Sequence, residues 1–298
     1  MWAIPEPLST RDVRVDDDTV IVLRRHGNPA GPRLVLSHGN GLAIDLYYPF
    51  WSLLADDFDL VVYDLRNHGW NAVGKSQSHN VARFVSDHDR ILRAIDHHYG
   101  NKPKIGVFHS VAALATLLSA NLGSEFAARV LFDPPVCKRG LNYEEFDAAA
   151  DRVAGMTRHR TPRFESEQQF AEILPYLPVY QRAVPGVFDL VARTTLRESA
   201  DGNGYELRCP RDYEAQIIQY AAPFAMMVEL DKVRCPTKVI GADPTLPFSY
   251  LPTLDLSHIL TVDYDFVPET THFLQLEEPE SCVEIMRDFL DRHGLLSS

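Results

Sequence analysis

Short apolar runs that resemble β-strands alternate with helical runs along most of the chain, and this alternation restricts the fold more than any other feature. Each strand-like run is four or five residues long. The predicted strands are Arg33–Ser37, Leu60–Tyr63, Lys104–Phe108, Arg129–Phe132, Thr237–Ile240 and Ile259–Asp263. Such alternation indicates an α/β fold, in which a mostly parallel sheet carries helices on both faces. Ligands then bind beyond the carboxyl ends of the strands.

Helical periodicity occupies the intervals between these strands. From Val81 to Tyr99, for example, apolar side chains recur at the spacing that places them on one helix face. Near the amino terminus, Val13–Val15 and Val20–Leu23 flank three aspartates, a turn composition, and so predict a β-hairpin. The predicted helices are Phe50–Leu54, Val81–Tyr99, Val111–Leu122 and Ser281–Leu290.

A long polar segment interrupts the alternation after the strand that ends at Phe132. It reads as helical, contains several prolines and shows no convincing strand, and the strand pattern resumes after it. We therefore interpret residues 134–228 as a helical cap. The cap is inserted into a core formed by residues 1–133 and 229–298.

The acidic composition argues against a nucleic-acid partner. The net charge is −12, whereas nucleic-acid contacts need clustered Lys and Arg. The amino terminus lacks the basic and apolar regions of a secretory signal, and no apolar run reaches the ~18 residues of a membrane span. We expect a small-molecule substrate, no nucleic acid and no stable membrane insertion. The sequence leaves open whether the protein forms a homodimer.

The spacing of the cysteines indicates whether they could bind a metal or form disulfides, and so in which cellular compartment the protein is expected. Cys137, Cys209, Cys235 and Cys282 are far apart and form no CxxC pair, which argues against a zinc site or a disulfide framework. We expect reduced thiols, no metal and no cofactor, in the cytoplasm or another intracellular compartment. Cys137 follows the predicted mouth of the site, but no sequence neighbour activates it.

The stretch GVFHSVAALAT, Gly106–Thr116, passes from strand to helix at a single serine. Such a turn is typical of a nucleophile elbow, which lifts the serine oxygen above the sheet and directs helix amides at developing charge. The elbow pattern is G-x-S-x-G. Ala112 keeps the small residue after Ser110, but the bulky Phe108 replaces the small residue before it. A serine at a strand end is also a common helix cap, so its partners decide the interpretation.

A nucleophilic serine needs a base within hydrogen-bond reach and an acid that orients the base. In elbow proteins the chain order is serine, acid, histidine, so the base comes late. His272 follows the last predicted strand and precedes the last predicted helix, in the polar turn PETTHF. Alone, a histidine in such a turn is more often a surface residue. Combined with Ser110 and the His38–Gly39 loop, it is the predicted base.

Five motifs in this order resemble those of the α/β-hydrolase superfamily. The similarity is to the esterase, lipase and dehalogenase-like branch with a helical cap after the sixth strand. The motifs are LSHGNG (Leu36–Gly41), DLRNHG (Asp64–Gly69), FHSVA (Phe108–Ala112), FDPP (Phe132–Pro135) and THFLQLEEPE (Thr271–Glu280). The resemblance implies the α/β-hydrolase fold over most of the chain.

The resemblance also implies roles for individual residues. Ser110 would be the nucleophile and His272 the base. The His38–Gly39 turn would shape an oxyanion hole, in which the backbone amides of Asn40 and Val111 bind the oxyanion.

The acid has two candidates. In many relatives it follows the seventh strand, three residues after a glycine. Counted from Pro236, that position falls on Thr245, and Asp243 lies two residues earlier. In other relatives the acid follows the sixth strand, and here Asp133 stands directly at the strand end. We favour Asp133 and keep Asp243 as the alternate, although an aspartate before proline commonly caps a turn.

Other polar residues near these motifs have structural interpretations. Asn40 is similar to the halide-binding asparagine of haloalkane dehalogenases, but those enzymes and epoxide hydrolases need a carboxylate where Ser110 stands. We expect His109 to pack or to make a structural hydrogen bond, and DLRNHG to brace its turn. Asp87–Asp89 and His97–His98 lack the i, i+4 spacing of helical metal ligands, so we interpret both as solvated helix surface.

The predicted function is a serine hydrolase that cleaves a carboxylic or lipid ester through an acyl-enzyme. Apolar residues in the predicted cap favour a hydrophobic acyl group, because ligand clefts are mainly apolar. A C–C bond hydrolase or a lactonase would use the same residues. A ligand-binding protein with little or no turnover is a further alternative, since Phe108 could distort the elbow.

Overall fold

A mostly parallel β-sheet forms the centre of the protein in the computed structural model, which describes residues 2–136, 143–246 and 262–296. The strands within these residues are β1 (Ser9–Arg14), β2 (Val20–Gly27), β3 (Arg33–Ser37), β4 (Asp59–Tyr63), β5 (Lys104–His109), β6 (Ala128–Phe132), β7 (Arg163–Phe164), β8 (Leu196–Glu198), β9 (Tyr205–Leu207), β10 (Thr237–Gly241) and β11 (Asp263–Phe266).

Helices connect most of these strands. The α-helices of the described residues are α1 (Tyr48–Trp51), α2 (Val81–Tyr99), α3 (Ser110–Leu118), α4 (Tyr143–His159), α5 (Glu167–Ile173), α6 (Val187–Thr195), α7 (Arg211–Ala225), α8 (Leu274–Glu277) and α9 (Pro279–Arg292). Short 3₁₀ helices lie at Ile44–Tyr47, Ser52–Leu54, Ser76–Ser78, Leu174–Tyr176, Pro178–Tyr180 and Leu230–Lys232. Within the same ranges, none of the helices combines the length and the apolarity that crossing a membrane needs.

The central sheet has the strand order β1-β2-β4-β3-β5-β6-β10-β11 within the described ranges. All pairs from β4 to β11 are parallel, whereas β1 and β2 form an antiparallel hairpin and β2 pairs antiparallel with β4. In the hairpin, Val13 lies opposite Ile21. The predicted hairpin and the mostly parallel sheet are therefore confirmed.

Two apolar layers pack against the two faces of this sheet. Along β3, Leu34 and Leu36 enter one layer and Val35 enters the other, because successive strand side chains point to opposite faces. The first layer includes residues of α1, α6 and α9, and the second includes residues of α2 and α3. The predicted arrangement of helices on both faces is confirmed.

The last strand of the sheet continues beyond the predicted end at Asp263 and runs to Phe266. Residues 259–261 of the predicted strand lie outside the described residues, and β11 pairs in parallel with β10 from Asp263 onward. Its side chains are half-buried or exposed, and the Lys238 ammonium pairs with the Asp263 carboxylate at 3.0 Å. An edge strand with polar side chains has no continuous apolar run, so periodicity does not locate it.

The amphipathic helix α2 has the predicted bounds, but one interpretation of its surface is wrong. Asp87 and His88 are buried, whereas His97 and His98 are exposed as expected. The Arg66 guanidinium donates two hydrogen bonds of 2.6 Å to the Asp87 carboxylate. This pairing compensates for the burial of the charge, and so a charged residue occupies the inner face of the helix.

The predicted cap segment is helical but also contains strands. Strands β7, β8 and β9 form a separate antiparallel sheet in the order β7-β9-β8, so the expectation of no strand is wrong. Strands of two or three residues are too short to show alternation. Arg197 lies opposite Glu206 in this sheet and pairs with it at 2.8 Å. The boundaries 134–228 stay a prediction.

The described cysteines are free thiols. Cys209, Cys235 and Cys282 are buried, and burial raises the pKa of Cys209 and of Cys282 well above the ordinary value. A thiolate is unfavourable at those two positions. Cys137, predicted near the mouth of the site, lies outside the described residues.

Burial also keeps several histidines neutral. It lowers the pKa of His26 to about 4 and the pKa of His79 and His88 to about 3. The pKa values of His68 and His109 lie well below 6.5, mainly for the same reason. Between pH 6.5 and these lower values, the unfolded chain binds more protons than the folded chain. The stability that each histidine contributes above pH 6.5 is therefore lost as the pH falls.

We predict that replacing one of these histidines will weaken the acid sensitivity of the fold by a measurable amount. Between pH 7 and pH 5, His88 alone should lower the free energy of unfolding by about 2 kcal/mol. The His88→Gln protein should therefore lose about 2 kcal/mol less than the wild type over this interval. Urea denaturation at both pH values measures the difference.

The exposed His97 offers a matched control. The His97→Gln protein should keep the wild-type pH dependence of stability, since this side chain is exposed and packs into neither apolar layer. The wild-type pH dependence alone does not isolate His88, because burial raises the pKa of carboxyl groups such as Glu214. A carboxyl group with a raised pKa stabilises the fold as the pH falls, which is opposite to the effect of the buried histidines. Equal pH dependence in His88→Gln and the wild type would contradict the prediction.

Candidate active site

Ser110 lies at the junction of β5 and α3, where the backbone turns sharply. Its φ angle is 53°, in the left-handed region that non-glycine residues occupy only when the surroundings hold them there. The residue is buried, with 7% of its surface exposed. The strained strand-to-helix turn places its hydroxyl beyond the carboxyl end of β5, as a nucleophile elbow does.

The bulky residue before the serine is accommodated by a glycine two positions earlier. The Phe108 ring packs against His88 and Phe126, with centroid distances of 5.2 and 5.8 Å. A Cβ atom on Gly106 would lie 2.6 Å from this ring. The space that the elbow pattern expects from a small residue at position 108 is therefore provided at position 106, and Ser110 keeps its left-handed conformation.

Ser110, His272 and Asp133 form a continuous chain of hydrogen bonds. The Ser110 Oγ atom lies 2.9 Å from His272 Nε2, and His272 Nδ1 lies 2.5 Å from Asp133 Oδ2. All three residues are buried. Because the carboxylate accepts the proton on Nδ1, the lone pair of Nε2 faces the serine hydroxyl. This arrangement can remove a proton from the serine.

Asp133 follows β6 directly and is held in an unusual backbone conformation. Its φ angle is 38°, and its amide donates to the Ile240 carbonyl at 2.8 Å. The other carboxylate oxygen, Oδ1, accepts from the Ala242 amide at 3.3 Å. The end of the neighbouring strand β10 thus helps to orient the carboxylate toward His272.

The alternate acid, Asp243, lies elsewhere. Its Oδ1 atom accepts from the amide and the hydroxyl of Thr245, at 2.8 and 2.6 Å. Its Oδ2 atom accepts from the Glu269 amide at 2.8 Å. These hydrogen bonds lower the pKa of Asp243. The carboxylate braces the turn after β10 and the loop that leads to His272, while Asp133 contacts the imidazole.

The His38–Gly39 turn contacts the elbow directly. A Cβ atom on Gly39 would lie 3.2 Å from the Ser110 Cβ and 2.7 Å from His109 Nδ1, so a larger residue would push the two segments apart. The Val111 amide belongs to the first turn of α3, where amides have no intrahelical acceptor. The predicted oxyanion donors, Asn40 and Val111, are therefore on segments in contact. The oxyanion hole itself stays a prediction.

Side chains from two other segments hold this turn. The Gly41 amide donates to His68 Nε2 at 3.0 Å, while His68 Nδ1 donates to the Arg66 carbonyl at 2.9 Å. The Asn40 side chain donates to the Glu214 carbonyl at 2.8 Å. The DLRNHG motif thus braces the turn through His68, and helix α7 of the predicted cap braces it through Glu214.

Two side chains of the predicted cap, Glu214 and Tyr180, also border the site. The buried carboxylate of Glu214 packs on Gly41, where an added Cβ atom would lie 2.5 Å from it, and it accepts a hydrogen bond from Arg160. Burial raises the pKa of Glu214. Tyr180 packs on Phe273, the neighbour of His272, with a centroid distance of 5.2 Å. Nothing in the local sequence distinguishes Glu214 from the surface of the cap, whereas Tyr180 is one of the apolar cap residues that favoured a hydrophobic cleft.

Comparison with known proteins identifies the family to which the chain is similar. A family model described as "Alpha/beta hydrolase family" matches residues 34–285. No curated protein matches the sequence. Solved structures do: E-2-(acetamidomethylene)succinate hydrolase superposes with a TM-score of 0.74 at 17% identity, covering 95% of this chain and 99% of that chain.

Two further solved structures have the same fold. A thioesterase domain from the curacin biosynthetic pathway has a TM-score of 0.69 at 15% identity, covering 94% of this chain and 98% of its own. An esterase from Thermogutta terrifontis, with malate bound, has a TM-score of 0.67 at 18% identity, covering 96% and 99%. At such identities the similarity shows a shared fold alone.

Proposed function

The chain belongs to the alpha/beta hydrolase family, and we propose that it is a serine hydrolase that cleaves an acyl ester through an acyl-enzyme. The single observation that supports this most is the hydrogen-bonded series Ser110–His272–Asp133, with distances of 2.9 and 2.5 Å. Three residues far apart in sequence meet at the carboxyl ends of strands, in the geometry that activates a serine.

In the proposed mechanism, Ser110 Oγ attacks the carbonyl carbon while His272 Nε2 takes the hydroxyl proton. The carbonyl electrons move to oxygen and form a tetrahedral oxyanion. When the intermediate collapses, the carbon–oxygen bond to the leaving alcohol breaks, and His272 returns the proton to that alcohol. Water then attacks the acyl–Ser110 ester with His272 as base, and the acid is released. Asp133 stabilises the imidazolium that forms in each half.

The proposed oxyanion donors are the backbone amides of Asn40 and Val111. Amides fixed before the reaction stabilise the charge without reorganisation, and one such donor typically contributes about 3 kcal/mol to barrier lowering. The bracing by His68 and Glu214 supports this role, because it holds the turn against the elbow. A loose turn would lose the geometric match to the oxyanion.

We favour a hydrophobic acyl group because the Phe273 ring lies beside the imidazole of His272, and the Tyr180 ring packs on Phe273. A carboxylic or lipid ester fits such surroundings. C–C bond cleavage, lactone hydrolysis and ligand binding with weak turnover are the alternatives. A panel of acyl esters of increasing chain length, run beside lactones, distinguishes among them.

Covalent labelling tests the proposed nucleophile. A fluorophosphonate should label the wild-type protein at Ser110, because only an activated serine attacks the phosphorus and displaces fluoride. The Ser110→Ala protein should not be labelled. Ser119, a buried serine just beyond the same helix, supplies the control: Ser119→Ala should label normally. An unlabelled wild type, or label on another residue, would refute the assignment.

A further inference from the structure

His109, the residue before the proposed nucleophile, joins three segments of the site through hydrogen bonds. Its Nε2 atom lies 2.9 Å from the backbone oxygen of His272. Its Nδ1 atom lies 2.6 Å from the Tyr47 hydroxyl. The same hydroxyl lies 3.1 Å from the Gly39 amide. His109 and Tyr47 are both buried, with 2% of the surface of each exposed.

Simple donor and acceptor rules assign every proton in this chain. A carbonyl oxygen only accepts, so Nε2 of His109 must carry the proton that is donated to His272. In the neutral ring, Nδ1 is then an acceptor and the Tyr47 hydroxyl donates to it. The Tyr47 oxygen in turn accepts from the Gly39 amide. The resulting series is Gly39 amide to Tyr47 hydroxyl to His109, and His109 to the His272 carbonyl.

The charge state of His109 matters to the proposed base. The rings of His109 and His272 are 4.6 Å apart between centroids, so a positive His109 would oppose the imidazolium that forms on His272. Burial and the nearby His272 lower the pKa of His109 well below the usual value. The ring is therefore neutral, in agreement with the hydrogen-bond assignment.

The backbone groups at the two ends of this chain adjoin the proposed catalytic groups. Gly39 precedes Asn40, a proposed oxyanion donor, and the carbonyl of His272 belongs to the base itself. On its other side, the loop is held at Thr271, whose amide and hydroxyl donate to the Glu277 carboxylate at 2.6 and 2.5 Å. The position of His272 is therefore set by Glu277 from one side and by His109 from the other.

We propose that Tyr47 and His109 are positioning residues that fix the distance between the oxyanion turn and the base on either side of Ser110. This role rests on the proposed function. Neither side chain touches the reacting atoms in the mechanism above. Both act through backbone groups, Gly39 on one side and His272 on the other.

The structure contains a closely matched pair that allows a controlled test. In the opposite apolar layer, the buried Tyr63 hydroxyl lies 3.3 Å from His88 Nδ1. Tyr47→Phe and Tyr63→Phe each remove one buried hydroxyl that contacts a histidine Nδ1. Only the first hydroxyl also receives a hydrogen bond from the oxyanion turn. The two variants therefore share the loss of a buried hydrogen bond and differ in its connection to the site.

Fluorophosphonate labelling and ester turnover on the full chain measure the effect. Tyr47→Phe should lower the labelling rate constant and kcat by about 10- to 100-fold, since small misplacements of reacting groups have effects of this size. KM should change by less than about threefold, because the substrate contacts are retained. Tyr63→Phe should keep wild-type labelling and kcat, although both variants lower the thermal midpoint.

The results separate the two proposals. A wild type labelled at Ser110 together with a Tyr47→Phe protein labelled at the wild-type rate would overturn the positioning role alone. Equal losses of rate in both variants would do the same, since they would show general destabilisation. An unlabelled wild type would refute the proposed function, and the positioning role would fail with it.

Nitrogen NMR of the wild type avoids any folding defect of the variants. With ¹⁵N-labelled histidine, the His109 ring should show a protonated Nε2 and a bare Nδ1 at pH 7. Its signals are assigned by their loss in His109→Gln. A proton on Nδ1 would contradict the hydrogen-bond assignment and with it the positioning role.

Discussion

Replacing Ser110 with alanine is expected to lower kcat for a generic acyl ester by about 10⁶-fold, to the rate that binding and the oxyanion donors alone support. The hydroxyl is the only group of Ser110 that can form the acyl bond. Its loss leaves the neighbouring imidazole with no nucleophile to activate. Steady-state assays with a short and a long acyl ester measure the loss, and circular dichroism checks that the variant folds.

Ser110 and His272 should act as one catalytic unit, so the effects of replacing them should not be additive. His272→Ala should lower kcat by a similar factor, and the Ser110→Ala/His272→Ala double variant should be no slower than either single variant. This follows because each proton transfer by His272 in the proposed mechanism serves a bond that Ser110 forms or breaks, so His272 has no role once the serine hydroxyl is gone. If the two losses multiplied in the double variant, the residues would act independently and the proposed mechanism would be wrong. An activity of Ser110→Ala near that of the wild type would also show that the proposed mechanism is wrong.

Replacing Asp133 with asparagine is expected to lower kcat by about 10⁴-fold. An asparagine amide next to His272 Nδ1 favours the other tautomer, in which Nε2 carries the proton and cannot accept one from Ser110. The side chain keeps its size, so the fold should be retained. The kcat of the purified variant, measured beside its thermal midpoint, tests the expectation.

Asp243→Asn is the matched control, because Asp243 was the other acid that the sequence allowed. Its carboxylate contacts Thr245 and Glu269. The variant should therefore lose about 1 kcal/mol of stability and less than about tenfold in kcat, through slight loosening of the loop before His272. A large loss in Asp243→Asn with a small one in Asp133→Asn would reverse the assignment of the acid.

Elements with strong local signals were predictable. Helix α2 has the predicted bounds because an amphipathic run lies between an Asn80 cap, which accepts from the Arg83 amide at 3.0 Å, and Gly100 with a φ angle of 82°. The buried strands β3 to β6 were similarly clear, because strands covered on both faces form continuous apolar runs. The order of these elements was sufficient to predict the α/β class, and the five motifs that follow the strands carried the resemblance to the family.

Elements whose stability comes from partners were not predictable. The small sheet β7-β9-β8 consists of strands too short to show a pattern. Strand β11 is a polar edge strand, which is defined by its pairing with β10. Asp87 looked like a surface residue because the sequence does not show that Arg66, 21 residues away, compensates its charge. In each case a through-space contact replaces the missing local signal.

The sequence by itself determined the alternating α/β fold and the residue types, a serine and a histidine, that stand at strand ends in the required order. It did so because periodicity and strand-to-helix turns are local properties. Only the tertiary structure decided between Asp133 and Asp243 as the partner of His272, and only it revealed Tyr47 between Gly39 and His109. Such choices depend on which strand ends and loops become neighbours when the sheet forms, and distance along the chain does not encode that.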